Sequence, residues 1–405
     1  MDIEKEVERQ FSILMRGVED IISAEEFKKK LKNSLEKNKP LVVKLGVDPT
    51  GSDLHIGHAV QLRKLKAFQE CGHKVKFLIG TFTAKIGDPT GKSKKKKMLT
   101  DEDIAGNIKG WLDQAQLILD LNKIEVVYNG DWLAKLTLED TLKLLSQFTV
   151  AQMVQREDFA KRLEAGKPVS LVEFMYPILQ GYDSVAIEAD IELGATEQKF
   201  NLLRGRDLQK NTGQEQQICM MTPILVGLDG VEKMSKSLGN YIGITETPND
   251  MFGKTMSIGD ELMWNYYELA TDVPMDEIKK LKEGIENGSI HPMDAKKRLG
   301  SEIVKLYHGE EEGLKAREWF ETVFSKRSLD VDMPEVKLVE DTVEVIDLVV
   351  NKLNFFSSTS EARRLIQQGG FKIGEEAITD VKAVITITDG MIVRAGKKKM
   401  VKIVK

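Results

Sequence analysis

The sequence predicts an α/β chain: a doubly wound parallel sheet, then a helical block, then a small basic α+β module. Three observations carry this. Residues 41–47 form an apolar run, followed by the turn formers Asp48, Pro49, Thr50 and Gly51 and a helical pattern over Ile56–Glu70, which is a strand-loop-helix unit. Strand-like stretches recur at 75–80 and 125–128 with helical patterns between and after them, the alternation of a parallel sheet. From about Gly243 to Ser325 the pattern is helical throughout, with acid-base alternation such as Asp276, Glu277, Lys279 and Lys280. The expected boundaries are 1–242 for the sheet domain, 243–327 for the helical block, 328–340 for an acidic, Pro-containing linker and 341–405 for the basic module.

Composition supports that division. At 405 residues the chain is too long for a single small binding module, and 41% hydrophobic residues suffice for a sizeable core, which excludes disorder and fibrous repeats. Apolar stretches fall short of a membrane span, and residues 1–6 lack a basic-then-apolar signal pattern, so the expectation is a cytoplasmic protein without a membrane partner. Cys71 and Cys219 are far apart, and neither a disulfide framework nor a thiolate zinc site is expected. No internal repeat is visible.

The net charge of −5 hides an asymmetry. Residues 352–405 hold eleven basic and five acidic residues, net +6, which leaves net −11 on residues 1–351. A basic tail on an acidic body suits a polyanionic partner; on charge alone, a solubilising tail fits equally.

Two motifs carry chemistry. The loop from Asp48 to His58 joins a strand to a helix, where backbone N–H groups and the helix dipole favour phosphate. His55 and His58, three apart, face one side of the first helical turn, and Gly57 admits a ring close to the backbone. The alternatives are capping or core histidines, or a zinc pair that lacks a third ligand nearby. The second motif, Lys233-Met-Ser235-Lys236-Ser, follows the turn 227–230 and puts two ammonium groups on a loop suited to a departing phosphate chain. On their own they would be a solvated basic loop. A third feature is the helical stretch Leu171–Ala186, apolar nearly all round, on which Tyr176, Gln180 and Asp183 form one polar stripe. Such a stripe faces either a polar cavity or a satisfied core network.

The order of the two phosphate motifs resembles the signature of class I aminoacyl-tRNA synthetases. Residues 176–184 (Tyr-Pro-Ile-Leu-Gln-Gly-Tyr-Asp-Ser), 87–93 (Gly-Asp-Pro-Thr-Gly-Lys-Ser) and 197–201 (Glu-Gln-Lys-Phe-Asn) extend that resemblance, over essentially the whole chain, to the bacterial tyrosyl-tRNA synthetases. The resemblance implies a Rossmann-like catalytic domain, a helical domain for the tRNA anticodon arm and a C-terminal S4-like RNA-binding domain. It places Asp88, Tyr176 and Gln180 on the substrate ammonium group, Asp183 on the phenol, Gln198 on the carboxylate side, and Asp48 also on tyrosine. It places Thr50, His55, Lys233 and Lys236 on the departing phosphates, His58 beside the nucleoside, Lys92 near pyrophosphate, and Gly57, Gly194, Glu197 and Ser235 on ATP. It gives RNA contacts to Arg363, Arg364, Lys397, Lys398 and Lys399.

The implied reaction joins L-tyrosine to tRNA(Tyr) through a tyrosyl-adenylate, with Mg-ATP as a substrate complex, no tightly bound metal and a homodimeric enzyme. Two positions depart from the family. Lys44 stands where many members carry a Tyr that helps bind the phenol, and Glu197 replaces an Asp on the ribose. The nearest rival is a tryptophanyl enzyme, against which Asp183 and Gln180 argue. A small-molecule nucleotidylyltransferase would leave the helical block and basic tail unexplained. An RNA-binding scaffold with relic motifs conflicts with the intact Lys233–Ser237 loop.

Overall fold

The computed structural model describes residues 2–49, 53–88, 100–325, 334–338, 340–356, 358–374, 376–396 and 399–405. Thr50, Lys92, Lys397, Lys398 and most of the expected linker lie outside the described residues. The chain divides into two compact units, Met1–Arg317 and Glu318–Lys405.

The first unit is built on a six-stranded sheet: β1 (Asp20–Ile22), β2 (Val42–Val47), β3 (Lys74–Ile79), β4 (Ile124–Tyr128), β5 (Ile191–Ala195) and β6 (Ile218–Thr222), in the order β1-β6-β5-β2-β3-β4. All pairs are parallel except the edge pair β1/β6. The helices needed below are α1 (Ile3–Met15), α2 (Ala24–Glu36), α3 (Ile56–Glu70), α4 (Asp101–Ala115), α5 (Leu171–Ala186) and α6 (Lys199–Asn211). From β2 the chain winds outward to β3 and β4, and β5 and β6 are laid down on the other side. The sheet therefore has its topological switch between β2 and β5, where parallel sheets open a crevice at their C-terminal ends.

Register explains the two faces. Val43, Val75, Ile124, Ile191 and Ile218 align across five strands and form an apolar rank. One residue on, the aligned rank is Cys219, Glu192, Lys44, Lys76 and Glu125, so charged side chains share one face of the central strands. Strands β1, β5 and β6 were not among the sequence expectations. Strand β6 (Ile-Cys-Met-Met-Thr) is rich in methionine, with one β-branched residue at each end, and β5 carries a charge and a glycine, so neither presents the usual strand composition. The expected helices at 56–70 and 171–186 form as α3 and α5.

Helix α5 is closed at its start by a reciprocal cap: the Ser170 hydroxyl accepts from Val172 N–H, and the Glu173 carboxylate accepts from Ser170 N–H at 2.8 Å. It packs on α6 through glycines. A Cβ at Gly181 would lie 2.9 Å from backbone atoms of Arg204 and Gly205. Further along, Arg16 and Arg63 donate to the Thr271 carbonyl, and Arg16 also to those of Tyr267 and Glu268, at the C-terminal end of the helix Met263–Ala270. Cations there meet the negative end of the helix and satisfy its last carbonyls.

The second unit holds a five-stranded sheet containing Phe371–Ile373, Met391–Ala395 and Lys399–Val404, with a core of Ile366, Phe371, Val393 and Ile403. Its helix Thr359–Gln367 buries Ala362 and Ile366 and leaves Arg363 and Arg364 exposed. Lys399 turns back on its own unit, donating to the Phe355 carbonyl and lying 4.5 Å from the centre of the Phe356 ring.

Gly181→Ala tests the helix contact. In an open helix the change would stabilise by up to about 1 kcal/mol. Here the new methyl meets backbone, so a net loss of about 1–3 kcal/mol is expected. Urea unfolding followed by tryptophan fluorescence should show a lower midpoint; a raised midpoint would show that the helices have room.

Candidate active site

The crevice at the switch point is a cavity of about 290 Å³. Its walls come from the ends of β2 (Gly46, Val47, Asp48) and β5 (Leu193, Gly194, Ala195), from the stripe Tyr176, Gln180 and Asp183 on α5, and from His58, Asp88, Gln198 and Lys233. The sequence-expected stripe thus opens into a cavity next to both phosphate motifs. Nine of the expected tyrosine and nucleotide residues, spread over 185 positions of sequence from Asp48 to Lys233, are gathered there, Asp88, Gly194 and Gln198 among them.

At its deep end Asp183 is 2% exposed. One oxygen accepts from the Trp132 indole N–H at 2.8 Å and the other from the Asn129 amide at 3.2 Å. Burial pushes the carboxyl up to about 6, against the pull of the Lys44 charge and these two donors. At neutral pH it is an ionised acceptor with lone pairs to spare. Asp48 sits at the C-terminal end of β2, where its oxygens accept from the Thr83 hydroxyl at 2.7 Å and the Tyr176 phenol at 2.9 Å. Burial drives it up to about 7. Gly80 makes the room: a Cβ there would fall on the Asp48 carboxylate. Asp88 accepts from Gln198 at 2.7 Å and from Arg156 at 3.2 Å, and Arg156 also pairs with Asp158.

Lys44 is the departure from the family pattern, and its surroundings are defined. It is fully buried, and its ammonium group donates to the Gln180 carbonyl at 2.9 Å and the Ser184 hydroxyl at 2.8 Å and pairs with Glu192 at 2.9 Å. Glu192 in turn accepts from Gln180, Ser184 and Gln217. The Gln180 side-chain oxygen accepts from Asn201, whose amide also reaches Gln198.

At the other end, helix α4 holds the loop before α3: Asn107 donates to the Pro49 carbonyl and Gln114 accepts from Leu54 N–H. His55 and His58 stack with ring centres 3.7 Å apart, and His58 Nδ1 accepts from His55 N–H at 3.3 Å. Neutral His58 therefore carries its proton on Nε2. The ring that approaches Gly57 is that of His55, 2.9 Å from a Cβ placed there. Burial lowers His55 to about 3 and His58 to about 4, so both are neutral donors. The Lys233 loop is anchored by buried Met234, whose N–H donates to the Leu225 carbonyl, and by Ser235 N–H on Asn240. Lys233 pairs with Glu197 at 3.1 Å, Lys236 pairs with Asp53, and the Ser235 hydroxyl lies 3.0 Å from that of Ser237.

Sequence reasoning missed Glu192, Asn129, Trp132, Thr83, Arg156 and Gln114. Only Glu192 had a signal: a lone acid in an apolar strand, like the lone base Lys44, implies a buried partner. The others are polar residues in segments without diagnostic pattern.

Among known proteins, a family model described as tRNA synthetases class I (W and Y) matches residues 36–325, and one described as the tyrosine–tRNA ligase SYY-like C-terminal domain matches residues 326–403. The tyrosine–tRNA ligase of Moorella thermoacetica is 51% identical over 401 residues, spanning 99% of this chain and 97% of the relative. That of Carboxydothermus hydrogenoformans is 50% identical over 404 residues, 98% of each. A C-terminally truncated mitochondrial tyrosyl-tRNA synthetase from Coccidioides posadasii shares the fold, with a TM-score of 0.61 at 24% identity over 78% of this chain and 93% of that one.

The stacked histidines generate a pH test. On unfolding below about pH 6.5 both rings take up a proton that the folded protein refuses. Their contribution to stability is thus present above pH 6.5 and is lost as pH falls toward 4 and 3. In ¹⁵N-labelled protein the resonances of His55 and His58 should stay those of neutral imidazole down to pH 5; a midpoint near 6.5 for both would contradict their burial.

Proposed function

Given that this chain belongs to the tyrosine–tRNA ligases of the class I aminoacyl-tRNA synthetases, we propose that the cavity at the β2/β5 switch point binds L-tyrosine along the α5 stripe, with Asp183 accepting from the phenol. The observation that carries this is the convergence of Asp183, Gln180 and Tyr176 on one cavity that also reaches His58 and Lys233. The ammonium group lies against Asp48, Asp88, Tyr176 and Gln180, and Gln198 stands on the carboxylate side. Burial of the Asp183 carboxylate makes phenylalanine costly, because an ionised acceptor would be left without its donor. Tyrosyl-tRNA synthetase against Phe is itself the standard illustration of that rejection.

The tyrosine carboxylate oxygen attacks the α-phosphorus of Mg-ATP, the bond to the β,γ-diphosphate breaks, and pyrophosphate leaves. A terminal ribose hydroxyl of tRNA then displaces AMP at the tyrosyl carbonyl. No enzyme nucleophile is needed, so the protein's part is positioning and charge stabilisation. His55, Thr50, Lys92, Lys233 and Lys236 meet the departing phosphates. His58, Gly57, Gly194, Glu197 and Ser235 line the nucleoside side. The ion pairs of Lys233 with Glu197 and Lys236 with Asp53 must open to release both lysines to phosphate and Glu197 to ribose.

The segment 243–327 contacts the anticodon arm, and the basic module with Arg363, Arg364 and Lys397–Lys399 tracks phosphates of structured RNA. Exposed Leu138, Leu142, Val150 and Leu171, the first and last more than three-quarters exposed, support a homodimer through this part of the first unit. Action in the cytoplasm fits the two free cysteines and the substrates. Among the described residues no helix is long and apolar enough to cross a membrane.

Because Asp48 is pushed up to about 7, binding an ammonium group should expel its proton. Below pH 7 tyrosine binding should release protons and strengthen as pH rises, and the release should vanish in Asp48→Asn. Calorimetry in buffers of different ionisation enthalpy reads this directly; buffer-independent heats at pH 6 would remove Asp48 from the ammonium site.

A chain ending at Ser325 should retain tyrosine-dependent pyrophosphate exchange and lose most tRNA charging. Its log-log salt slope for tRNA binding should be shallower by about 0.7–0.9 per phosphate contact removed. Equal slopes would make the basic module a solubilising appendage.

Sedimentation checks the dimer: Leu138→Asp with Leu171→Asp should shift the wild-type dimer to monomer. A monomeric wild type would leave the exposed leucines without this role.

A further inference from the structure

Lys44 lines the cavity, but its ammonium group is already engaged and does not replace the phenol of the tyrosine that many relatives carry. An ammonium has three donors, and here they are directed to Gln180 O, Ser184 Oγ and Glu192 Oε1. All three partners lie at the back of the cavity, two of them on α5 and one on the neighbouring strand. Lys44 and Glu192 face each other directly in the β2/β5 register, so the pair is built into the sheet before any side chain is placed. Its consequences reach both ends of the stripe. Gln180 is held by its carbonyl from Lys44 and by its amide N–H from Glu192. Ser184, held between the two charges, is the immediate neighbour of Asp183.

We propose that Lys44 is a specificity-determining positioning residue: its fixed charge behind α5 keeps Asp183 a hydrogen-bond acceptor, and its grip on Gln180 and Ser184 holds the stripe in register with the substrate. This rests on the assignment of Asp183 to the phenol. The charges that face Asp183 are Lys44 from β2, Glu192 from β5 and, at the end of β2, Asp48, with the Tyr176 hydroxyl on its own helix; Trp132 and Asn129 are neutral donors. Lys44 is therefore the favourable charge in a set whose other charged members are carboxylates. Its attraction for the ionised Asp183 outweighs the opposing effect of Glu192. Discrimination by this enzyme then depends on a charge whose donors are all taken by the protein itself.

The test is the ratio of kcat/KM for tyrosine over phenylalanine in pyrophosphate exchange, measured from pH 5 to 8 with the full-length enzyme. In the wild type the ratio should fall as pH drops through the Asp183 midpoint near 6. In Lys44→Met the fall should begin about one unit higher, with about a fivefold lower ratio at pH 6 that approaches tenfold at pH 5, since each unit is a factor of ten in the ionised fraction only below both midpoints. Lys44→Met leaves Glu192 buried without its partner and risks the fold. Lys44→Met with Glu192→Gln removes both charges and should fold, with a smaller upward shift. Asp183→Asn separates the two layers of the argument. If Asp183→Asn leaves the ratio intact, the phenol assignment itself fails. If Asp183→Asn collapses the ratio while both Lys44 variants keep the wild-type pH profile, Lys44 is purely structural and the proposal is overturned.

Discussion

Lys44 and Glu192 face each other across two central strands, with exposures of 0% and 1%, and this pair is the constraint on which the site depends. Two charges taken out of water are tolerated only when each is fully hydrogen-bonded. Here the ammonium has three acceptors, and the carboxylate receives Gln180, Ser184 and Gln217 besides the lysine. An apolar pair would serve stability as well or better, whereas loss of one partner alone costs about 3–5 kcal/mol. What the pair adds is specification. A one-residue slip of β2 against β5 would send the two side chains to opposite faces, so the charges lock the register at the switch point. The same atoms hold α5 by a carbonyl, an amide and a hydroxyl.

From that fixed helix follows the electrostatics of the cavity. Asp48 and Asp183 are both buried, and burial alone would neutralise both. Their surroundings differ. Asp183 has the lysine charge and two N–H donors, whereas Asp48 has two hydroxyls and further carboxylates nearby, and the two carboxyls settle at about 6 and about 7. One end of the cavity is therefore an acceptor for a neutral donor, and the other awaits a cation. At the mouth, the paired lysines keep positive charge in reserve for phosphate, and the histidines offer neutral N–H donors.

Much of this was legible in the sequence, for identifiable reasons. The 56–70 and 171–186 helices announced themselves by periodicity, and Tyr176, Gln180 and Asp183 by a polar stripe on an otherwise apolar helix. The phosphate motifs were read from residue type and order. Strands β5 and β6 were not read, because methionine, glycine and a lone acid do not make a strand pattern, and β1 is only three residues long. Asn129 and Trp132 come from a short connection after β4, and their meeting with Asp183 is decided by tertiary packing alone. Lys44 was visible as an exception; its partner across the sheet became evident only once strand order was known.

The central claim is that a lysine that Asp183 does not hydrogen-bond acts with Trp132 and Asn129 to favour its ionised carboxylate against burial. Carboxyl ¹³C NMR of aspartate-labelled enzyme, with Asp183 assigned by its disappearance in Asp183→Asn, reads that ionisation directly. The account predicts a midpoint near 6 in the wild type, displaced upward when Lys44 and Glu192 are replaced together by Met and Gln. A midpoint that stays in place after both charges are removed would contradict it.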